Sequence, residues 1–131
     1  MKLETVLAVP LLFAHASAVI VNVLGLPMIQ NKTKEMESLK KLFAEYKSET
    51  NGEIDIRYQF AETMVTTEYA ALVTDMLRDE DKSVDIFMID VVWPGAFASK
   101  LLDLTQHGTL ESIVNGHNPA IAMNNYIDGK L

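Results

Sequence analysis

Asp90 and Trp93 stand three positions apart, where the short apolar run Val84-Asp85-Ile86-Phe87-Met88-Ile89 gives way to Val91-Val92 and then Pro94. A carboxylate accepts hydrogen bonds from hydroxyl groups, and an indole offers a rigid apolar face for stacking. Together they suit recognition of a hydroxylated, sugar-like ligand. A plainer reading stands beside this one: an Asp at a strand end caps nearby backbone amides, and a Trp fills the core. Glu62 and Gln30 follow two further candidate strands, so both would open onto the same crevice if the strands are parallel. Each also reads as an ordinary exposed loop residue.

Other chemistries find little footing. The chain has no cysteine, which removes disulfides, thiol nucleophiles and thiolate metal sites. No Gly-x-Ser-x-Gly elbow, no Gly-x-Gly-x-x-Gly turn and no phosphate loop ending in Gly-Lys-Ser/Thr occurs, so neither serine hydrolysis nor nucleotide chemistry is expected. Asp103, His107 and His117 could be imagined around a metal, but the histidines lie ten positions apart with a glycine in each loop. That matches no helical ligand spacing. No metal, no cofactor and no catalytic group is expected, and an α/β enzyme is the least supported reading. A formal net charge of −7 argues against nucleic acid as a partner, because phosphate binding needs a basic surface.

The elements that must position Asp90 and Trp93 can be read from hydropathy. At 131 residues and 49% apolar content the chain can form one domain with a real core. Val19 to Leu24 is nearly all apolar and β-branched, and Gly25 and Pro27 break it, so it reads as a first strand. From Thr33, a plausible N-cap, Met36, Leu39, Leu42, Phe43 and Tyr46 recur at helical spacing, and Asn51-Gly52 supplies a left-handed stop. Glu53 to Phe60 alternates as a second strand near a sheet edge. A second helix runs from Thr66 or Thr67 to Arg78, with Tyr69, Leu72, Val73, Met76 and Leu77 inward. Val84 to Asp90 has the composition of a strand buried on both faces. The β-α-β-α-β order with right-handed crossovers predicts a small parallel α/β sheet with helices on both faces. Beyond it, Pro94 and Gly95 begin a short helix carrying Phe97, Leu101 and Leu102 inward. Thr109 to Val114 is a further helical segment, Asn118-Pro119 caps a final helix, and Asp128-Gly129 makes a tight turn.

Residues 1–18 read as a secretory signal peptide, with Lys2 in the charged part, Val6 to Ala14 as apolar core and Ala16-Ser17-Ala18 as cleavage pattern. The alternative is a longer apolar anchor reaching Leu26, which Pro10, His15, Asn22 and Gly25 interrupt. Asn31-Lys32-Thr33 is a glycosylation sequon if the secretory route is eukaryotic.

The string from Val84 to Trp93 with Gly95 and Phe97, the helix ending in Phe43-Ala44-Glu45-Tyr46, and the closing Asp128-Gly129-Lys130-Leu131 together resemble a known family. They are similar to the family 1 extracellular solute-binding proteins of ABC importers, in particular the maltose/trehalose-binding type. The resemblance implies a longer, two-lobed, non-catalytic protein that closes like a hinge around a sugar. It implies that Asp90 matches the acidic residue bonding sugar hydroxyls and Trp93 the aromatic beside it, with Glu62 and Gln30 on contributing loops. Pro27-Met28-Ile29 departs from the pattern, being more apolar than such a sugar-contacting loop. Residues 19–131 would then be a partial N-terminal lobe, secreted or periplasmic, with a sugar ligand and an ABC permease as partners. In the family, Asp-Gly-Lys-Leu leads into a crossover strand and the second lobe, so the chain reads as truncated. A lobe without its covering surface is expected to be marginally stable and to expose apolar area. The alternative is a secreted interaction protein that keeps the fold and self-associates through an exposed sheet edge.

Overall fold

A computed structural model describes residues 17–28, 31–107 and 115–130. Strands β1 (Val19–Gly25), β2 (Ile54–Phe60) and β3 (Ile86–Phe87) alternate with helices α1 (Lys32–Glu49) and α2 (Thr66–Arg78). Helix α3 (Pro94–Phe97), 3-10 turns at Ala98–Lys100 and Leu104–His107, and helix α4 (Pro119–Asn124) follow. The sheet is parallel, as the β-α-β-α-β pattern predicts, and its strand order is β2-β1-β3. The first crossover moves to one side of β1 and the second passes back over it, so crossovers of one hand place their helices on opposite faces.

Contacts on the two faces agree with that placement. Val23 pairs with Tyr58, whose ring stacks on Phe43 of α1 at 6.0 Å. The neighbouring Leu24 instead joins Tyr69 and Val73 of α2 in the buried core, with Ala61, Val84 and Phe97. Tyr69 and Val73 are fully buried, whereas α1 buries no residue completely. The core therefore lies on the α2 side, around the end of β1.

Helix ends follow local chemistry. Asn31, not Thr33, caps α1: its Oδ1 accepts the Lys34 N–H at 3.0 Å. Asn51 and Gly52 take positive φ angles of 52° and 79°, and Gly52 N–H returns to the Lys47 carbonyl at 2.8 Å. Asn118 caps α4 through Ala120 N–H at 2.9 Å, with Pro119 in the first turn. Asp128-Gly129 closes a tight turn between Ile127 and Lys130.

Three expectations need correction. The stretch Val84–Asp90 is not a long strand buried on both faces; β3 has two residues, lies at the edge of the described sheet, and leaves Ile86 52% exposed. Asp85 N–H and Met88 N–H still reach the Asn22 and Leu24 carbonyls at 2.9 Å, and at the start of β3 the Asp85 carboxylate accepts Asn22 N–H at 2.8 Å and Asn22 Nδ2 at 3.3 Å. A side chain thereby takes a donor that a strand carbonyl would otherwise use. Leu72, Leu101 and Leu102 are exposed rather than inward, because no described surface covers them. Leu42 and Tyr46 on α1 are likewise exposed. The signal-peptide reading, apart from Ser17 and Ala18, lies outside the described residues, as do Gln30, Thr109 to Val114 and Leu131.

Candidate ligand-binding site

Strand order β2-β1-β3 puts a topological switch point between the carboxyl ends of β1 and β3, where open α/β sheets hold their ligands. The two chain segments leaving that end are Leu26-Pro27-Met28 and Met88 to Trp93. They are tied by the Met88 N–H, which donates to the Leu24 carbonyl at 2.9 Å. The same carbonyl accepts the Tyr69 hydroxyl at 2.9 Å, so one oxygen anchors β1, the β3 exit and α2. Burial foremost, and then the nearness of Tyr58, push the Tyr69 phenol up to about 12, with the Met88 amide opposing. At neutral pH it is a fixed donor.

Asp90 opens a closed turn. Its Oδ1 accepts Val92 N–H at 3.2 Å, and its carbonyl accepts Trp93 N–H at 2.9 Å. Such Asx bonding is what a short carboxylate does at a turn start. The residue is exposed, and its Oδ2 has no protein partner among the described residues. Trp93 is half-buried, stacked on Tyr69 at 6.3 Å and set edge-on to Phe97 at 6.2 Å. The geometry thus contains the plainer reading, with Asp90 capping its own turn and Trp93 filling the core's rim. It also leaves a carboxylate oxygen open to solvent on a rigid base. Beside it in the turn, Val91 and Val92 are 59% and 76% exposed, an apolar fringe on a polar turn.

The other expected site residues are placed less closely. Glu62 is exposed just after β2, across β1 from Asp90, and shares no hydrogen bond with it. It lines an open hollow of about 470 Å³ with Leu24, Gln59, Thr63, Leu72 and Met76. Gln30 is outside the described residues. Asn31 is exposed and uses its Oδ1 as a helix cap. Among the described residues no group of three acidic or histidine side chains could hold a metal, and Asp103 accepts Thr105 N–H at 3.0 Å. No helix of the described residues is long and apolar enough to cross a membrane.

Two contributors escaped sequence reasoning. Asn124, the last residue of α4, donates through Nδ2 to the Val91 carbonyl inside the Asp90 turn. Glu35, in the first turn of α1, accepts the Met28 N–H at 2.9 and 3.0 Å and so holds the chain leaving β1. Neither bond has a local sequence signature beyond an acid near a helix start.

No protein-family model matches the chain. Over 61 residues it is 43% identical to a protein of Deinococcus radiodurans named "Probable ABC transporter-binding protein". The match spans 47% of this chain and 14% of that protein, so the chain covers a small part of its relative's length. The similarity supports kinship with ABC transporter-binding proteins at that coarse level, and it carries no preference for maltose or trehalose.

Proposed function

We propose that this chain forms one ligand-facing wall of an extracellular or periplasmic solute-binding protein that serves an ABC importer, and that its ligand is a carbohydrate bound without reaction. The observation that carries the proposal is the 43% identity with a protein named as an ABC transporter-binding protein. The carbohydrate follows from chemistry: the open Asp90 oxygen at the switch point accepts hydroxyl protons, and the apolar fringe of Val91 and Val92 meets the C–H face of a sugar ring. Trp93, already stacked on Tyr69, acts as the platform that fixes the turn. One wall leaves a ligand wet, so tight binding needs a second surface closing over it. A permease is the implied partner, and residues 1–18 are the implied export signal. Where the secretory route is eukaryotic, Asn31 is a glycan acceptor.

Trp93 is the chain's single tryptophan, so its emission reads this site alone. We expect saturable emission changes when this chain is titrated with maltose or trehalose. Loss of a charged hydrogen-bond acceptor in Asp90→Ala should weaken binding by about tenfold or more. Absence of saturation with any sugar would remove the carbohydrate part of the reading. A second reading has its own observation: Ile86 is 52% exposed on the edge strand β3, which favours self-association through that edge.

A further inference from the structure

We propose that Asn124 is a positioning residue for the Asp90 carboxylate, acting through the peptide group that joins Val91 to Val92. That group is a rigid plane carrying the Val91 carbonyl on one side and the Val92 N–H on the other. Both ends are held. The Val91 carbonyl accepts Asn124 Nδ2, and the Val92 N–H donates to Asp90 Oδ1 at 3.2 Å. Rotation of this plane would break both bonds together and free Asp90 to swing. While Asn124 holds its end, Oδ1 stays engaged and Oδ2 keeps a fixed place for a ligand hydroxyl.

The anchor is itself well placed. Asn124 ends α4, which Asn118 caps at 2.9 Å and which Ala122 fixes in the interior at 5% exposure. Just beyond, Ile127 Cδ1 lies 4.0 Å from where a Cβ on Gly95 would stand. The segment from Pro119 to Lys130 therefore touches the chain on both sides of Trp93, at Val91 and at Gly95. Without these contacts the turn would have only its two local bonds, and its exposed valines contribute no packing to hold it.

The ligand part of this inference rests on the proposed carbohydrate site, whereas the conformational part does not. The test reads both. In Asn124→Ala, the Val92 amide should exchange its proton about fivefold faster, the loss of one ordinary hydrogen bond. Acrylamide quenching of Trp93 should rise, while the melting temperature stays close to that of the parent. Asn124→Asp, which keeps the shape but removes the donor, should behave in the same way and decides the matter if the alanine variant fails to fold. Sugar affinity should fall by a similar factor, and Asp90→Ala should add less on top of Asn124→Ala than it does alone. Unchanged Val92 exchange in both Asn124 variants overturns the positioning role whatever the sugar does. Faster exchange in a protein that binds no sugar supports the positioning role and overturns the carbohydrate site.

Discussion

The Leu24 carbonyl shows how much one backbone atom can organise. It accepts both Met88 N–H and the Tyr69 hydroxyl, each at 2.9 Å, where two strands and a helix meet. Tyr69→Phe keeps the ring stacked on Trp93 and removes one buried bond, at an expected cost of about 1 kcal/mol in denaturant titrations. The same phenol makes the fold alkali-sensitive. Its folded pKa is raised from 10.0 to about 12, so its contribution is complete below pH 10 and is lost as pH climbs through about 12. Stability measured across that window should fall less steeply in Tyr69→Phe than in the parent. Some slope should remain, since burial, and then Glu35, also raise the Tyr58 phenol. Gly25 is a second case: a Cβ there would stand 1.9 Å from the Tyr58 hydroxyl and 2.7 Å from its ring carbon. Gly25→Ala must displace that ring, which predicts a loss of about 1–3 kcal/mol. The loss should shrink in a Tyr58→Leu background, where the obstructing atoms are gone, as a double-mutant cycle would read. From sequence, Gly25 is legible only as a strand breaker; that it floors a tyrosine depends on the register of β1 with β2.

Elements were legible where burial imposes a period, and less so where side chains compete with backbone. Helix α2 follows its expected bounds, since Tyr69, Val73, Met76 and Leu77 all reach the core and write that contact into the spacing. Helix α1 begins two residues before the start that Thr33 as N-cap predicts. Asn31 and Thr33 are both capping types, and only the bond from Lys34 N–H decides between them. Asn31→Ala should therefore cost about 1 kcal/mol in thermal or chemical melts, while Thr33→Ala leaves stability nearly unchanged. The pair also separates cap from sequon. In a eukaryotic secretory host, Thr33→Ala should abolish any glycan mass while keeping the cap, whereas Asn31→Ala should remove both. The composition of Val84–Asp90 predicts a longer strand than β3, at whose start the Asp85 carboxylate takes the Asn22 N–H. No hydropathy pattern carries that competition. The Asp90 turn was legible from residue types alone. Asn124 was not, since it acts on a carbonyl 33 positions away.

At the scale of the whole molecule, the arrangement is a three-stranded sheet whose central strand is β1 and whose described edges are β2 and β3. The two edges are not equivalent. Along β2, helix α1 leaves a hollow of about 390 Å³ rimmed by Lys40, Lys47 and Arg57, and Lys47 pairs with Asp55 at 3.2 Å. Charges of that kind discourage another strand from docking. Along β3, Ile86 is exposed, Phe87 is half-buried, and the outer backbone has no partner strand among the described residues. An unprotected apolar edge is a template for pairing, and the switch-point turn begins only three residues beyond it, at Asp90. Covering that edge would lengthen β3 and stiffen the base of the Asp90 turn; leaving it bare invites a second copy. Ile86→Lys distinguishes these states, because a lysine on an edge opposes pairing while an exposed position costs the fold little, within about 0.5 kcal/mol. Sedimentation over a range of concentrations should show the parent chain associating as concentration rises and Ile86→Lys remaining monomeric, with equal melting temperatures at the lowest concentration. Equal association of both proteins would place the contact elsewhere, with the exposed Leu42 and Tyr46 of α1 the next surface to test.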